Sequence, residues 1–133
     1  MLKFKQISIL AFLFLVMSAV QAFAQVPQDI ITSLDEGDSK LLAGYFNQNV
    51  ELVVLDNDNV YSKAQAEQIV NNFFSNFNPV SPNAFSVIHN SGKEGAKSII
   101  GKLKTTKGDF RVYFLLKKNG NKEYIHRLSI EKQ

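Results

Sequence analysis

Apolar residues change their spacing along the chain, and the changes mark out its elements. In the segment after residue 25, Val26, Ile30, Ile31 and Leu34 recur every three or four positions, Pro27 suits a first helical turn and Gly37 suits a stop, so a short helix is predicted. Asp38 can cap a second helix carrying Leu41, Leu42, Tyr45 and Phe46. Residues 50–55 are β-rich, 56–59 form a turn tetrapeptide, and Val60-Tyr61 resumes the chain, which together predict a hairpin. Ser62 with Gln65 then makes a capping box. Ala66, Ile69, Val70, Phe73, Phe74 and Phe77 follow on one helical face until Pro79 and Pro82 forbid continuation.

From Phe85 onward the period is two. Residues 85–89, 97–105, 110–118 and 122–131 read as strands, with Lys107-Gly108 and Asn119-Gly120-Asn121 as hairpin turns. These turns pair Gly101 with Phe114 and Leu103 with Val112, and then Phe114 with His126 and Val112 with Leu128. A two-residue turn at Asn119-Gly120 would set Arg127 opposite Val112 and mix charge into an apolar row, so the longer loop is preferred. One face then carries Ile99, Gly101, Leu103, Phe110, Val112, Phe114, Leu116, Tyr124, His126, Leu128 and Ile130 and should meet the helices. The opposite face carries Lys102, Lys104, Arg111, Tyr113 and Arg127 at one end and Ile100, Leu115 and Ile125 at the other. Helices followed by an antiparallel meander predict an α+β domain.

The stretch before residue 25 has another meaning. Lys3 and Lys5 precede it, residues 7–20 are apolar except for Ser8 and Ser18, and Ala22-Phe23-Ala24 sets small residues two apart before Gln25. That order is the grammar of a cleaved signal peptide. A membrane span needs about 20 apolar residues, and this run breaks at Ser18 and Gln21. Residues 1–24 are therefore expected to be a signal peptide and 25–133 a single exported domain, periplasmic or secreted, with no membrane span after cleavage.

The 133 residues suffice for one domain and include no Cys, which excludes a disulfide scaffold and a cysteine metal site. The net charge of +3 includes Lys3 and Lys5, so the exported part carries about +1. Its charge is polarised: residues 25–90 hold two lysines against eight acids, and residues 91–133 hold eleven bases against four acids. A cationic surface of Lys102, Lys104, Arg111 and Arg127 around Tyr113 could hold an acidic glycan or another anionic partner, and in an exported protein nucleic acid is not expected. Solvated strand charges are the first reading of these residues, and self-association through this face is the other alternative, since Ile100, Leu115 and Ile125 would otherwise form an exposed apolar strip.

On the inward face Tyr124 and His126 are the polar groups, and His126 reads either as a satisfied core histidine or as a pocket hydrogen bond and pH-sensitive charge. With Phe73, Phe77 and Phe114 they make the candidate ligand pocket. Asp56, Asp58 and Glu67 fall at calcium-loop spacing, but Val60 occupies a ligand position and Tyr61 stands where a glycine is needed. No catalytic residue, metal or cofactor is expected.

The segments EGDSKLLAGYF, YSKAQAEQIVNNFF and IGKLKTTKGDFRVYFLLKK resemble an exported bacterial family, domain of unknown function 4783, of the nuclear-transport-factor-2-like (cystatin-like) superfamily. The resemblance covers 25–131 and implies a cone: N-terminal helices packed on a strongly curved antiparallel sheet, with a pocket at the open end of its concave face. Superfamily enzymes such as ketosteroid isomerases use a carboxylate base, whereas the predicted inward face here has no Asp or Glu. The expected function is thus an exported non-enzymatic binding or interaction domain for a small apolar ligand or a protein partner. The alternatives are a small pocket enzyme of the isomerase or dehydratase type and a structural homodimerisation module.

Overall fold

In the computed structural model, residues 25–93 and 95–133 are described. The expected signal peptide, residues 1–24, lies outside them. Helices α1 (Gln28–Glu36) and α2 (Ser39–Ala43) precede the hairpin of β1 (Phe46–Val54) and β2 (Asn57–Ser62). Helix α3 (Lys63–Asn76) follows, and then β3 (Phe85–Lys93), β4 (Ala96–Thr105), β5 (Gly108–Asn119) and β6 (Lys122–Lys132). The strands form one sheet in the order β2-β1-β6-β5-β4-β3. Its neighbours run antiparallel except β1 and β6, which are parallel. A parallel pair needs a long connection, and here everything from β2 through β5 supplies it.

Local chemistry explains the helices. Gly37 ends α1 in the left-handed region at φ 70°, where a residue with a Cβ is strained. Asp38 accepts the Leu41 amide at 3.0 Å and starts α2. That helix has only five residues, shorter than its apolar spacing predicts, because Phe46 leaves it to begin β1 and sits opposite Ile125 of β6. The expected capping box is present at α3: Ser62 Oγ accepts the Gln65 amide at 3.3 Å, and Gln65 Oε1 accepts the Ser62 amide at 3.2 Å. Ala66, Val70, Phe73 and Phe74 of α3 are buried, and the helix stops at Asn76, just before Pro79.

The core lies between the helices and the inward sheet face. Phe73 meets the Phe110 ring edge-on at 5.0 Å, and Phe77 stacks on Phe73 at 5.2 Å. Phe85 lies across Gly101, where any Cβ would collide with its ring. Asp35 of α1 accepts the backbone amides of Ala84 and Phe85 and the Ser81 hydroxyl, tying a helix to the start of edge strand β3.

The register corrects the sequence expectation. The β4–β5 turn is Thr106-Lys107, with Thr105 opposite Gly108, so Gly101 pairs with Val112 and Leu103 with Phe110. Thr105 Oγ1 fixes this turn, accepting the Lys107 amide at 3.2 Å and donating to the Gly108 carbonyl at 2.6 Å. The β5–β6 turn is Gly120-Asn121, with Asn119 opposite Lys122. Alone, this two-residue turn would set Ser129 opposite Val112 and Arg127 opposite Phe114, but β6 carries a bulge: Leu115 pairs with Arg127 and Leu116 with Ile125, leaving His126 as the extra residue. Val112 thus faces Ile130, and Phe114 faces Leu128.

Candidate functional site

The bulge changes which β6 residues reach the core. Ile125, expected on the outer face, is 0% exposed, whereas Tyr124 and His126 are half-buried and outside the apolar row. Phe73 and Phe114, expected to line a pocket, are 2% and 0% exposed and packed against other rings. Phe77 is half-buried in the same stack, with Lys107 Nζ 5.8 Å from its ring centre. Of the five pocket candidates, Tyr124 alone lines the rim pocket described next.

That pocket, of about 740 Å³, opens between α2 and the start of β6. Pro27, Leu41 and Gly44 give it apolar surface, Tyr45 and Tyr124 contribute aromatic rings, and Asp38, Lys40, Asn121, Lys122 and Glu123 supply polar groups. Its walls are tied down. The Tyr45 hydroxyl donates to Asp29 Oδ2 at 3.0 Å, and the Tyr45 carbonyl accepts the Ile125 amide at 2.7 Å. Lys97 Nζ reaches Glu123 Oε1 at 3.0 Å and the Gln25 carbonyl at 3.2 Å, joining β4, β6 and the segment before α1. Burial, then the hydrogen bond to Asp29 and its charge, push the Tyr45 pKa above 10.0. Tyr45 is therefore a neutral phenol whose proton is committed to Asp29.

The pocket carboxylates are also engaged: Asp38 caps α2, and Glu123 pairs with Lys97. Among the described residues no cluster of three or more His, Asp and Glu side chains is arranged to hold a metal. His126 has its pKa lowered below 6.5 by burial and secondarily by the charge of Lys117.

Sequence reasoning missed Pro27, Leu41, Tyr45 and the 121–123 segment as one site. Their convergence needs the parallel β1–β6 pairing, which brings Tyr45 beside the start of β6. The available signal was Gly44, only six residues after the Asp38 cap, which leaves little room for a helix reaching Phe46.

The other interface candidates lie on the outer sheet face. Lys102 pairs with Asp109 at 3.1 Å, and Arg127 approaches Glu51 at 3.5 Å. Ile100 faces Tyr113 across β4 and β5, Leu115 lies next to Arg127, and Lys104 is exposed opposite Asp109. Ile100, Arg111, Tyr113 and Arg127 share a groove with Ser129 and Glu131.

Comparison with known proteins places this geometry. No curated protein matches the sequence. A protein from Bacteroides uniformis described as a DUF4783 family protein is 33% identical, with a TM-score of 0.74 over 82% of this chain and 98% of its own. A second, from Bacteroides ovatus, is 31% identical, with a TM-score of 0.75 over 81% of this chain and 96% of its own. An NTF-2-like protein of unknown function from Silicibacter pomeroyi shares the fold at 7% identity, with a TM-score of 0.57 over 80% of this chain and 88% of its own. The family model described as Domain of unknown function (DUF4783) matches residues 27–131, and with helices on one face of an open six-stranded sheet the chain belongs to that family and has an NTF2-like α+β fold.

Proposed function

We propose that the protein is an exported, non-enzymatic binding domain that holds a small, partly apolar ligand in the rim pocket. The observation that carries this reading is the pocket itself, about 740 Å³, within the range of roughly 300–1,000 Å³ typical of small-molecule sites. Leu41, Pro27 and the two tyrosines offer apolar surface, and Lys40, Asn121 and Lys122 offer polar groups for orientation. Because Phe73 and Phe114 fill the inward face with packed rings, the rim suits a ligand better than the interior.

The same geometry favours binding over proton transfer. A carboxylate acting as general base must be free to take a proton, whereas Asp38 and Glu123 already serve a helix cap and an ion pair, and Asp29 accepts from Tyr45. Titration with the neutral fluorophore N-phenylnaphthylamine tests the pocket. Saturable binding is expected, and Leu41→Glu should weaken it about tenfold or more by placing a charge in the apolar wall. Full binding by a folded Leu41→Glu variant would overturn this reading.

A further inference from the structure

Tyr113 of β5 lies on the outer sheet face, with Ile100 of β4 and Ser129 of β6 as its direct cross-strand partners. With Arg111, Arg127 and Glu131 they line a groove of about 390 Å³. Its charges are incompletely matched. Arg127 carries its guanidinium 5.9 Å from the Tyr113 ring centre and 3.5 Å from Glu51, yet its Nε is buried without a hydrogen-bond partner. A buried donor left unmade is costly. Arg111 has no ion pair among the described residues, although it stands directly across from Glu131 on β6 and Lys102 on β4. Glu131 instead accepts the Ser129 hydroxyl at 3.0 Å, and Lys102 is held by Asp109 at 3.1 Å.

The guanidinium groups of Arg111 on β5 and Arg127 on β6 therefore share one groove with the Tyr113 ring. The planar fork of arginine matches a carboxylate through paired hydrogen bonds. The ring of Tyr113 offers an apolar face with a polar tip, and Ser129 and Glu131, on β6 beside Arg127, add oxygens that can accept from a ligand's hydroxyl groups. A ligand that satisfies all three has a ring, a carboxylate and hydroxyl groups. We propose that this groove binds a uronic acid, a sugar ring bearing a carboxylate, at a site separate from the rim pocket. The charge supports this occupant, since residues 91–133, which include β4 to β6, hold eleven basic residues against four acids.

Glucuronate, glucose, benzoate and inorganic sulfate should be titrated into the protein, followed by amide chemical shifts and by fluorescence, which tyrosine dominates in a chain without Trp. Glucuronate is expected to bind saturably below about 10 mM, to shift amides around Tyr113 and to weaken with added salt. Arg111→Gln and Arg127→Gln should each raise its Kd about tenfold or more, and Arg111→Lys, which keeps the charge but loses the fork, should fall between wild type and Arg111→Gln. Circular dichroism confirms that the variants fold. Leu41→Glu should leave glucuronate binding unchanged, which separates this site from the rim pocket.

The proposal is overturned by absence of saturable glucuronate binding, by equal affinity for glucose or benzoate, or by insensitivity to both arginine variants. Sulfate competing as strongly as glucuronate binds would reduce the groove to a general anion site and overturn the sugar assignment. A dimer by sedimentation that Leu115→Glu splits into monomers would also overturn it, since a second copy of the chain would then cover the groove.

Discussion

Strand β5 presents two unlike rows of side chains. Phe110, Val112, Phe114 and Leu116 are each 0% exposed, while Arg111 between them is exposed and Tyr113 and Leu115 are half-buried. The inward row is specified by area removed from water, roughly 25 cal/mol per Å² of apolar surface. That term is indifferent to which apolar neighbour supplies the cover. The outer row depends on its partners: Tyr113 becomes part of a groove because Ser129, Ile100 and Arg127 stand around it. One row is therefore fixed by period and the other by register.

The sharpest way to break this comparison is to truncate adjacent residues on opposite faces. Phe114→Ala should cost about 3–5 kcal/mol, because it leaves a cavity between Leu128, Ile99 and Phe85. Leu115→Ala, one residue along, should cost about 1 kcal/mol or less because its side chain is only half-buried. Urea melts of both variants give the difference directly. Similar losses at the two positions would mean that burial does not separate the rows.

A second pair sharpens the comparison at the bulge. Ile125→Ala should destabilise by about 2–5 kcal/mol as a core truncation, since Ile125 is 0% exposed opposite Leu116. Tyr124→Ala should cost less than about 1.5 kcal/mol and chiefly weaken binding at the rim pocket that Tyr124 lines. The expected sequence register predicts the reverse order. The two melts therefore decide whether the bulge exists in solution.

This contrast shows how much of the molecule was legible in its sequence. The capping box at Ser62, the stop at Gly37 and the inward row of β4 and β5 are carried by local chemistry and by period, and a hairpin does follow residue 50, although its turn is Leu55-Asp56 and the expected turn residues 57–59 belong to β2. The register of β4 on β5 differs by two residues from the expected one, yet no side chain changes face, because the strand period is also two. In β6 a single inserted residue, His126, exchanges the faces of everything before it, and no apolar pattern announces it: Tyr124, Ile125 and His126 can each be read as inward. The rim pocket was illegible for another reason. Its walls meet through the parallel contact between β1 and β6, residues some 80 positions apart, and alternation within a strand says nothing about its distant neighbour.

The polar tie from the helix layer to the sheet edge gives an intermediate effect. Asp35→Ala should destabilise by about 1–3 kcal/mol, because the amides of Ala84 and Phe85 lose their acceptor where the chain turns into β3. Hydrogen exchange should show faster opening at Ala84 and Phe85 than in the centre of β5. Uniform protection across both regions would indicate that the outermost strand is held by its pairing with β4 alone.

The smallest expected effect concerns His126, which belongs to neither row. Burial and then the positive charge of Lys117 lower its folded pKa below 6.5, so as pH falls the unfolded chain takes up the proton first. Stability is then fully present above the unfolded value of about 6.5 and declines as pH falls through that value toward the lower folded one. His126→Gln removes the titration while keeping a polar side chain of similar length, so its stability should change less than that of wild type between pH of about 7 and 5. Reversible urea melts across that window measure the difference of slopes. Parallel curves for wild type and variant would mean that His126 is as well hydrated in the folded chain as in the unfolded one, and that the bulge sets it fully on the solvent side of the sheet.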